Sequence, residues 1–314
     1  MITRRTIVGL MSAAAFLGTV GMANAADKPY IALISKGYQH QFWQAVRQGA
    51  EQAAKDLDVT VSYEGPEGES AINQQLDMIQ AALAKKPAAL GLAALDSQAA
   101  IPLVQQAKDA GIPIIAFDSG VDSDYPLTTA STDSKASAAL AADKMAELIG
   151  SEGEVAIVGH DQTSTTGVDR VEGFKGEIAA KYPKITIVDI QYGGGDHTKS
   201  ADITKAIIQA HPKLKGIFGT NEGAALGVAI GKKEAESKVV VIGYDSGAGQ
   251  IDAIKDGTIA GSITQNPVGI GYKTVEAAVK ATKGEALPKH IDTGFYWYDK
   301  SNIDDPKIAA VLYK

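Results

Sequence analysis

Two aspartates, Asp118 and Asp245, close the same local phrase in distant parts of the chain: Ile-Pro-Ile-Ile-Ala-Phe-Asp-Ser-Gly at 112–120 and Val-Val-Val-Ile-Gly-Tyr-Asp-Ser-Gly at 239–247. In each, an apolar run ends in a carboxylate, a hydroxyl and a glycine, as expected of a buried strand that delivers an acid to a polar site. One such Asp is as readily a helix cap or a turn former. Its repetition in a second, similar setting points to two lobes facing one ligand. Other apolar runs lead to Gln39 and His40 followed by Phe42 and Trp43, to Asp96, to Asn221 and Glu222, and to Gln265. Planar carboxylates and amides each hold two neighbouring hydroxyls, and an aromatic face covers the C–H side of a sugar ring. The chemistry is that of a neutral polyhydroxylated ligand, a monosaccharide before anything else.

Each of these residues has a plainer alternative. Phe42 and Trp43 fit ordinary core at helical spacing, and adjacent positions on a helix do not face one way. His40, between Gln39 and Gln41, reads alone as a loop histidine. Asp161 and Arg170 flank Thr163-Ser164-Thr165-Thr166, either reaching a ligand from the second lobe or opening a helix. A metal is not expected, because His160, His197, His211 and His290 are scattered, there is no cysteine, and no His-Glu-x-x-His occurs. Nor is a cofactor: Gly193-Gly194-Gly195 lacks dinucleotide spacing, the 227–233 stretch lacks the P-loop hydroxyl, and Gly-x-Ser-x-Gly is missing. Asp118 with Asp245 as a glycosidase acid and base has no further catalytic support, so an enzyme is not expected.

The elements that must place these groups alternate in type. Apolar runs at 30–35, 59–63, 88–93 and 112–117 are separated by helical patterns at 42–57, 71–85 and 97–110. A short run at 128–130 leads to an alanine-rich helix at 134–149, opened by the capping residues Asp133 and Ser134. A second series follows the same order, with strands at 155–159, 185–191, 216–219 and 239–244 and helices at 166–182, 197–211 and 222–235. The remainder holds a helix at 250–255, a strand at 260–265, a helix at 268–283 opened by Pro267, and a strand-like run at 293–298. Such alternation predicts an α/β protein of two Rossmann-like lobes, each a parallel sheet flanked by helices. The division expected is 26–132 plus 266–293 for one lobe and 133–265 plus 294–314 for the other, joined by a hinge of several crossings.

Residues 1–25 have the pattern of a cleaved secretory signal: Arg4 and Arg5, an uncharged run over 7–22, and Ala23-Asn24-Ala25. The apolar run is shorter than the ~20 residues of a membrane span, so no anchor is expected. The Arg pair hints at twin-arginine export. Without the signal the charge is −9 (28 − 37), which disfavours nucleic acid and anionic lipid. An exported chain without cysteine depends on a large core rather than on disulfides; the expected compartment is the periplasm.

The sequence resembles the ribose-type periplasmic sugar-binding proteins, the solute-binding components of ABC importers, over 27–298. The resemblance rests on Ile31-Ala32-Leu33 with Phe42-Trp43 and Gly49-Ala50, on 110–118, on 170–174, on 221–227, on Gly243-Tyr244-Asp245, and on 263–267. It implies the type I periplasmic binding protein fold, and sugar contacts from His40, Phe42, Trp43, Asp118, Asn221, Asp245 and Gln265. Ser119 stands where ribose binders commonly have arginine, the ribose-contacting arginine aligns near Val168 with Arg170 two residues on, and Glu222 is an additional acid. Another pentose or hexose, a polyol or an amino sugar therefore remains open. The implied partners are a sugar and a permease with its ATPase, the protein acting as a monomer; the alternative is a receptor for a small polar signal.

Overall fold

The structure, a computed structural model, describes residues 28–313; the expected signal at 1–25 lies outside them. The first lobe begins with β1 (Tyr30–Ile34), α1 (Gln41–Asp56), β2 (Thr60–Glu64), α2 (Ile72–Ala84), β3 (Ala89–Leu92), α3 (Ile101–Asp109), β4 (Ile114–Phe117) and β5 (Thr128–Ser131). The second contains α4 (Ser134–Ile149), β6 (Gly153–Gly159), α5 (Thr165–Lys181), β7 (Ile185–Tyr192), α6 (His197–Ala210), β8 (Leu214–Gly219), α7 (Glu222–Glu234), β9 (Val240–Tyr244), α8 (Ala248–Lys255) and β10 (Gly261–Gln265). The chain ends with α9 (Pro267–Thr282), β11 (His290–Asp292), β12 (Phe295–Asp299) and α10 (Pro306–Ala309). Two short elements, β11 and α10, were beyond the reach of periodicity, and the run expected at 293–298 proves to be β12, with β11 just before it.

The two sheets have the same strand order. Their orders are β11-β5-β4-β3-β1-β2 and β12-β10-β9-β8-β6-β7. All described pairings are parallel except β10 with β12. β3 and β4 are buried throughout, because helices cover both faces and successive side chains alternate between them. Thus Ile31, Leu33, Ile115 and Phe117 pack with α1 and α9, while Ala32, Ile34 and Ile114 pack with α2 and α3. In the second sheet Val155 and Ile157 pack towards α4 and α5, and Ala156 and Val158 towards α6, α7 and α8.

Helix α9 follows the second lobe in sequence yet packs on the first, directly against α1. A methyl group on Gly49 would fall 1.9 Å from the Val268 carbonyl oxygen, and one on Gly271 would fall 1.9 Å from that of Val46. Glycine at both crossings is what lets the two backbones meet. The chain passes between sheets after β5, after β10, and between β11 and β12. Near the end of the chain, Tyr313 is buried beside Phe42 in the first lobe's core, its hydroxyl accepting from Ser246 N of the second lobe at 3.1 Å.

Candidate functional site

In sheets of this topology the crevice lies beyond the carboxyl ends of the strands, where the order reverses. The groups lining one cavity between the lobes come from there: Lys36 after β1, Glu69 after β2, Asp118 after β4, His160 after β6, Asn221 after β8, Asp245 after β9 and Gln265 at the end of β10. The first turn of α1 adds His40, Phe42 and Trp43, and α5 adds Arg170. These side chains pack closely, leaving a cavity of only about 10 Å³ between them.

Asp118 and Asp245 share a backbone conformation as well as a sequence. Both have positive φ, 54° and 82°, a region that non-glycine residues enter sparingly and Asp more readily than most. The cost is of order 1–3 kcal/mol each, and such residues cluster at functional sites. A tight turn in which Ser119 N donates to Phe117 O at 2.5 Å goes with the Asp118 conformation.

Their carboxylates differ in chemistry. Asp245 is engaged, Oδ1 accepting from Gln265 Nε2 at 2.8 Å and Oδ2 from Glu222 N at 2.9 Å. No described N–H or O–H donates to the Asp118 carboxylate; its nearest cation is Arg170, with Nη2 3.9 Å from Oδ1. Burial pushes the Asp118 carboxyl up to about 6, against the pull of Lys36 and Arg170. Arg170 is buried, stacks 3.7 Å from the centre of the Tyr244 ring and donates from Nη1 to Thr220 O at 2.9 Å. Among the described residues its Nε has no partner, and neither has Gln265 Oε1.

Phe42 and Trp43 both line the cavity, edge to face with ring centres 4.9 Å apart. Trp43 Nε1 donates to Glu69 Oε1 at 2.8 Å and Asn221 Nδ2 to Glu69 Oε2 at 2.8 Å. Asn221 also caps α7, with Oδ1 accepting from Ala224 N at 2.8 Å. His40 Nε2 lies 2.9 Å from Gly195 O and Nδ1 3.4 Å from Glu69 Oε1. Burial alone would lower this imidazole, but Glu69 raises it to about 9. His160 behaves oppositely: burial drives it well down despite Asp161, so it is neutral and its 3.5 Å approach to Asp161 is not an ion pair. Lys36 reaches the second lobe, Nζ donating to Thr166 Oγ1 at 3.0 Å and Ser164 Oγ at 3.3 Å.

Ser119 and Glu222, also expected at the ligand, are not among the groups lining the cavity. Ser119 Oγ pairs with Thr165 Oγ1 at 3.2 Å. Glu222 crosses between lobes, Oε1 accepting from Gln41 N and Oε2 from Phe42 N, each at 3.0 Å. It thereby caps α1, whose own N-cap residue His40 supplies no side-chain bond. In return Gln41 Oε1 accepts from Ala248 N at 2.6 Å, at the start of α8. Asp96 accepts from Gln98 N and Ala99 N in a local turn, and Asp161 shapes the turn before α5. Lys36 and Glu69 are not marked in the sequence, and His160 is read there only as one of several scattered histidines, although each follows a strand; strand-end position is the signal that finds them.

Residues 31–286 match the model of a periplasmic binding protein domain. The ribose import binding protein of Salmonella typhimurium is 28% identical over 284 residues, covering 90% of this chain and 94% of that protein. A carbohydrate transporter solute-binding protein from Agrobacterium radiobacter, solved in complex with D-arabinose, superimposes with a TM-score of 0.88 at 34% identity, covering 92% of this chain and 99% of the other. An ABC transporter solute-binding protein from Agrobacterium vitis with bound D-fucose gives 0.87 at 35% identity, covering 90% and 100%.

Proposed function

The chain belongs to the periplasmic binding protein family, and from that premise we propose that it captures one monosaccharide between its lobes and delivers it to an ABC permease. The observation that carries this reading is a cavity into which a free carboxylate, Asp118, a free amide oxygen, Gln265 Oε1, and a free guanidinium N–H, Arg170 Nε, converge from both lobes. Two acceptors and a donor beside an indole face suit adjacent ring hydroxyls and a C–H face.

Asp118, Arg170 and Gln265 take the hydroxyls, Phe42 and Trp43 the ring, and His40, Asn221 and Asp245 order these groups. Ser119 and Glu222 serve closure rather than contact. The lobes divide at the crossings, the first taking 26–132 with 266–293 and the second 133–265 with 294–314, save for Tyr313. Sugar bridging both lobes favours the closed arrangement through contacts that only it completes. The protein works as an exported monomer in the periplasm; none of its described helices is long and apolar enough to cross a membrane. Thermal-shift screening against pentoses, hexoses, polyols and amino sugars tests the reading, because a ligand of the folded state raises the melting temperature. No stabilisation by any of them at millimolar concentration overturns it.

A further inference from the structure

Glu69 lies in the irregular segment between β2 and α2, and burying a carboxylate there is costly without partners. It is 6% exposed. Its oxygens accept from the Trp43 indole N–H of the first lobe and the Asn221 amide of the second, and His40 stands at 3.4 Å. The Gly195 backbone closes over it, since a methyl group there would fall 2.8 Å from Oε2. Asn221 is held at both ends, by Glu69 and by Ala224 N. Three protein groups thus engage Glu69, each on a side chain that, like Glu69 itself, borders the ligand space.

We propose that Glu69 is a positioning residue of the sugar site, one that fixes the Trp43 indole plane and the Asn221 amide across the two lobes and thereby sets which sugars fit. The role rests on the sugar-binding reading. Burial opposes the Glu69 charge, but His40 and then Lys36 hold its carboxyl well below the usual range, so the anion with a cationic His40 is the resting form at neutral pH. A glutamine cannot replace it, because one amide oxygen can satisfy one of the two donors while its NH2 faces the other.

The test compares wild type, E69Q and E69D by calorimetry with D-ribose, D-arabinose and D-fucose, and by NMR of the His40 ring and the Trp43 indole N–H. In E69Q the affinity for the sugar preferred by wild type falls at least tenfold, the ratio of affinities among the sugars changes, and the His40 midpoint drops from about 9. E69D keeps the charge and a raised His40 midpoint, but the shorter chain reaches one donor, so the altered ratio persists; this variant carries the test if E69Q does not fold. W43F combined with E69Q loses less than the two changes added, as coupled neighbours do. Where wild type binds sugar, unchanged sugar ratios in the variants, or a shifted His40 midpoint with undiminished affinity, overturn the role of Glu69 alone. A wild type that binds none of the sugars overturns the sugar-site reading and this role with it.

Discussion

Glu222→Ala separates a residue that closes the lobes from one that touches sugar. The Glu222 carboxylate receives two backbone N–H groups at 3.0 Å, both from the start of α1, which its own N-cap residue leaves without a side-chain bond. Hydrogen bonds to a charged group contribute about 1.5–3 kcal/mol each. Part of that is offset, because water serves the same groups when the lobes part and burial raises the Glu222 carboxyl above its ordinary value. Loss of an N-terminal cap costs about 0.5–2 kcal/mol, so about 2 kcal/mol of closed-state preference is at stake. At about 1.4 kcal/mol per decade this is roughly 30-fold in affinity, where the sugar-free protein is mainly open. Apparent affinity scales with the closed fraction. Every sugar should therefore weaken by the same factor, with the selectivity order preserved. Calorimetry against three sugars, with small-angle scattering of sugar-free protein to read the open fraction, checks this. Affinities within threefold of wild type in a protein that scattering shows to be open, or weakening of one sugar only, would refute the reasoning.

Asp118→Ala should reduce sugar affinity by roughly 10–100-fold, the range of one lost charged hydrogen bond, with little change in melting temperature because no protein group donates to that carboxylate. Asp245→Ala should weaken binding and also lower the melting temperature, since it strands Gln265 Nε2 and Glu222 N at about 1–3 kcal/mol per buried unsatisfied group. Affinity should fall as pH drops from 7.5 through about 6, the value at which the free Asp118 carboxyl takes up a proton; calorimetry at pH 5 and 7.5 reads it. The accompanying stability has the opposite sign: a raised carboxyl pKa gives a contribution fully present below the ordinary value near 4 and lost as pH rises through about 6. Asp118→Asn removes that dependence from thermal melts. Gly271→Ala must push α9 off α1 and should destabilise by about 1–3 kcal/mol, as overpacking does; an unchanged denaturation midpoint would contradict the close helix crossing.

The two-lobed plan was legible because both halves repeat one order of strands and helices, and because buried parallel strands read as unbroken apolar runs. Asp118 and Asp245 were legible for the same reason, as the same phrase serves the same turn twice. What each carboxylate does was not, since its partners come from elements dozens of residues away. Glu69 stands in Gly65-Pro66-Glu67-Gly68-Glu69-Ser70, a stretch that reads as a solvated turn; its burial depends on Asn221 and Gly195 of the other lobe. Lys36 reads as a surface lysine for the same reason, since the groups that bury it lie in α5. Glu222 was placed in the right region with its direction unknown, because the helix end it caps belongs to α1. Three-residue β11 is too short for any period to show.

The order of the chain also governs how the molecule is made. The first lobe lacks α9 until synthesis has passed Pro267, and β12 closes the second sheet only at Asp299. The 136 residues from Ser131 to Pro267 (267 − 131) take roughly 7–27 s to make at about 5–20 residues per second. Throughout that interval the glycine-bearing side of α1 has nothing to dock against, and the apolar face of β1, β3 and β4 beneath it is covered by α1 alone. The nascent amino-terminal half is thus a waiting client for holding factors rather than an early-folding domain, and a stall in translation within the second lobe would leave behind a sticky fragment instead of a finished half.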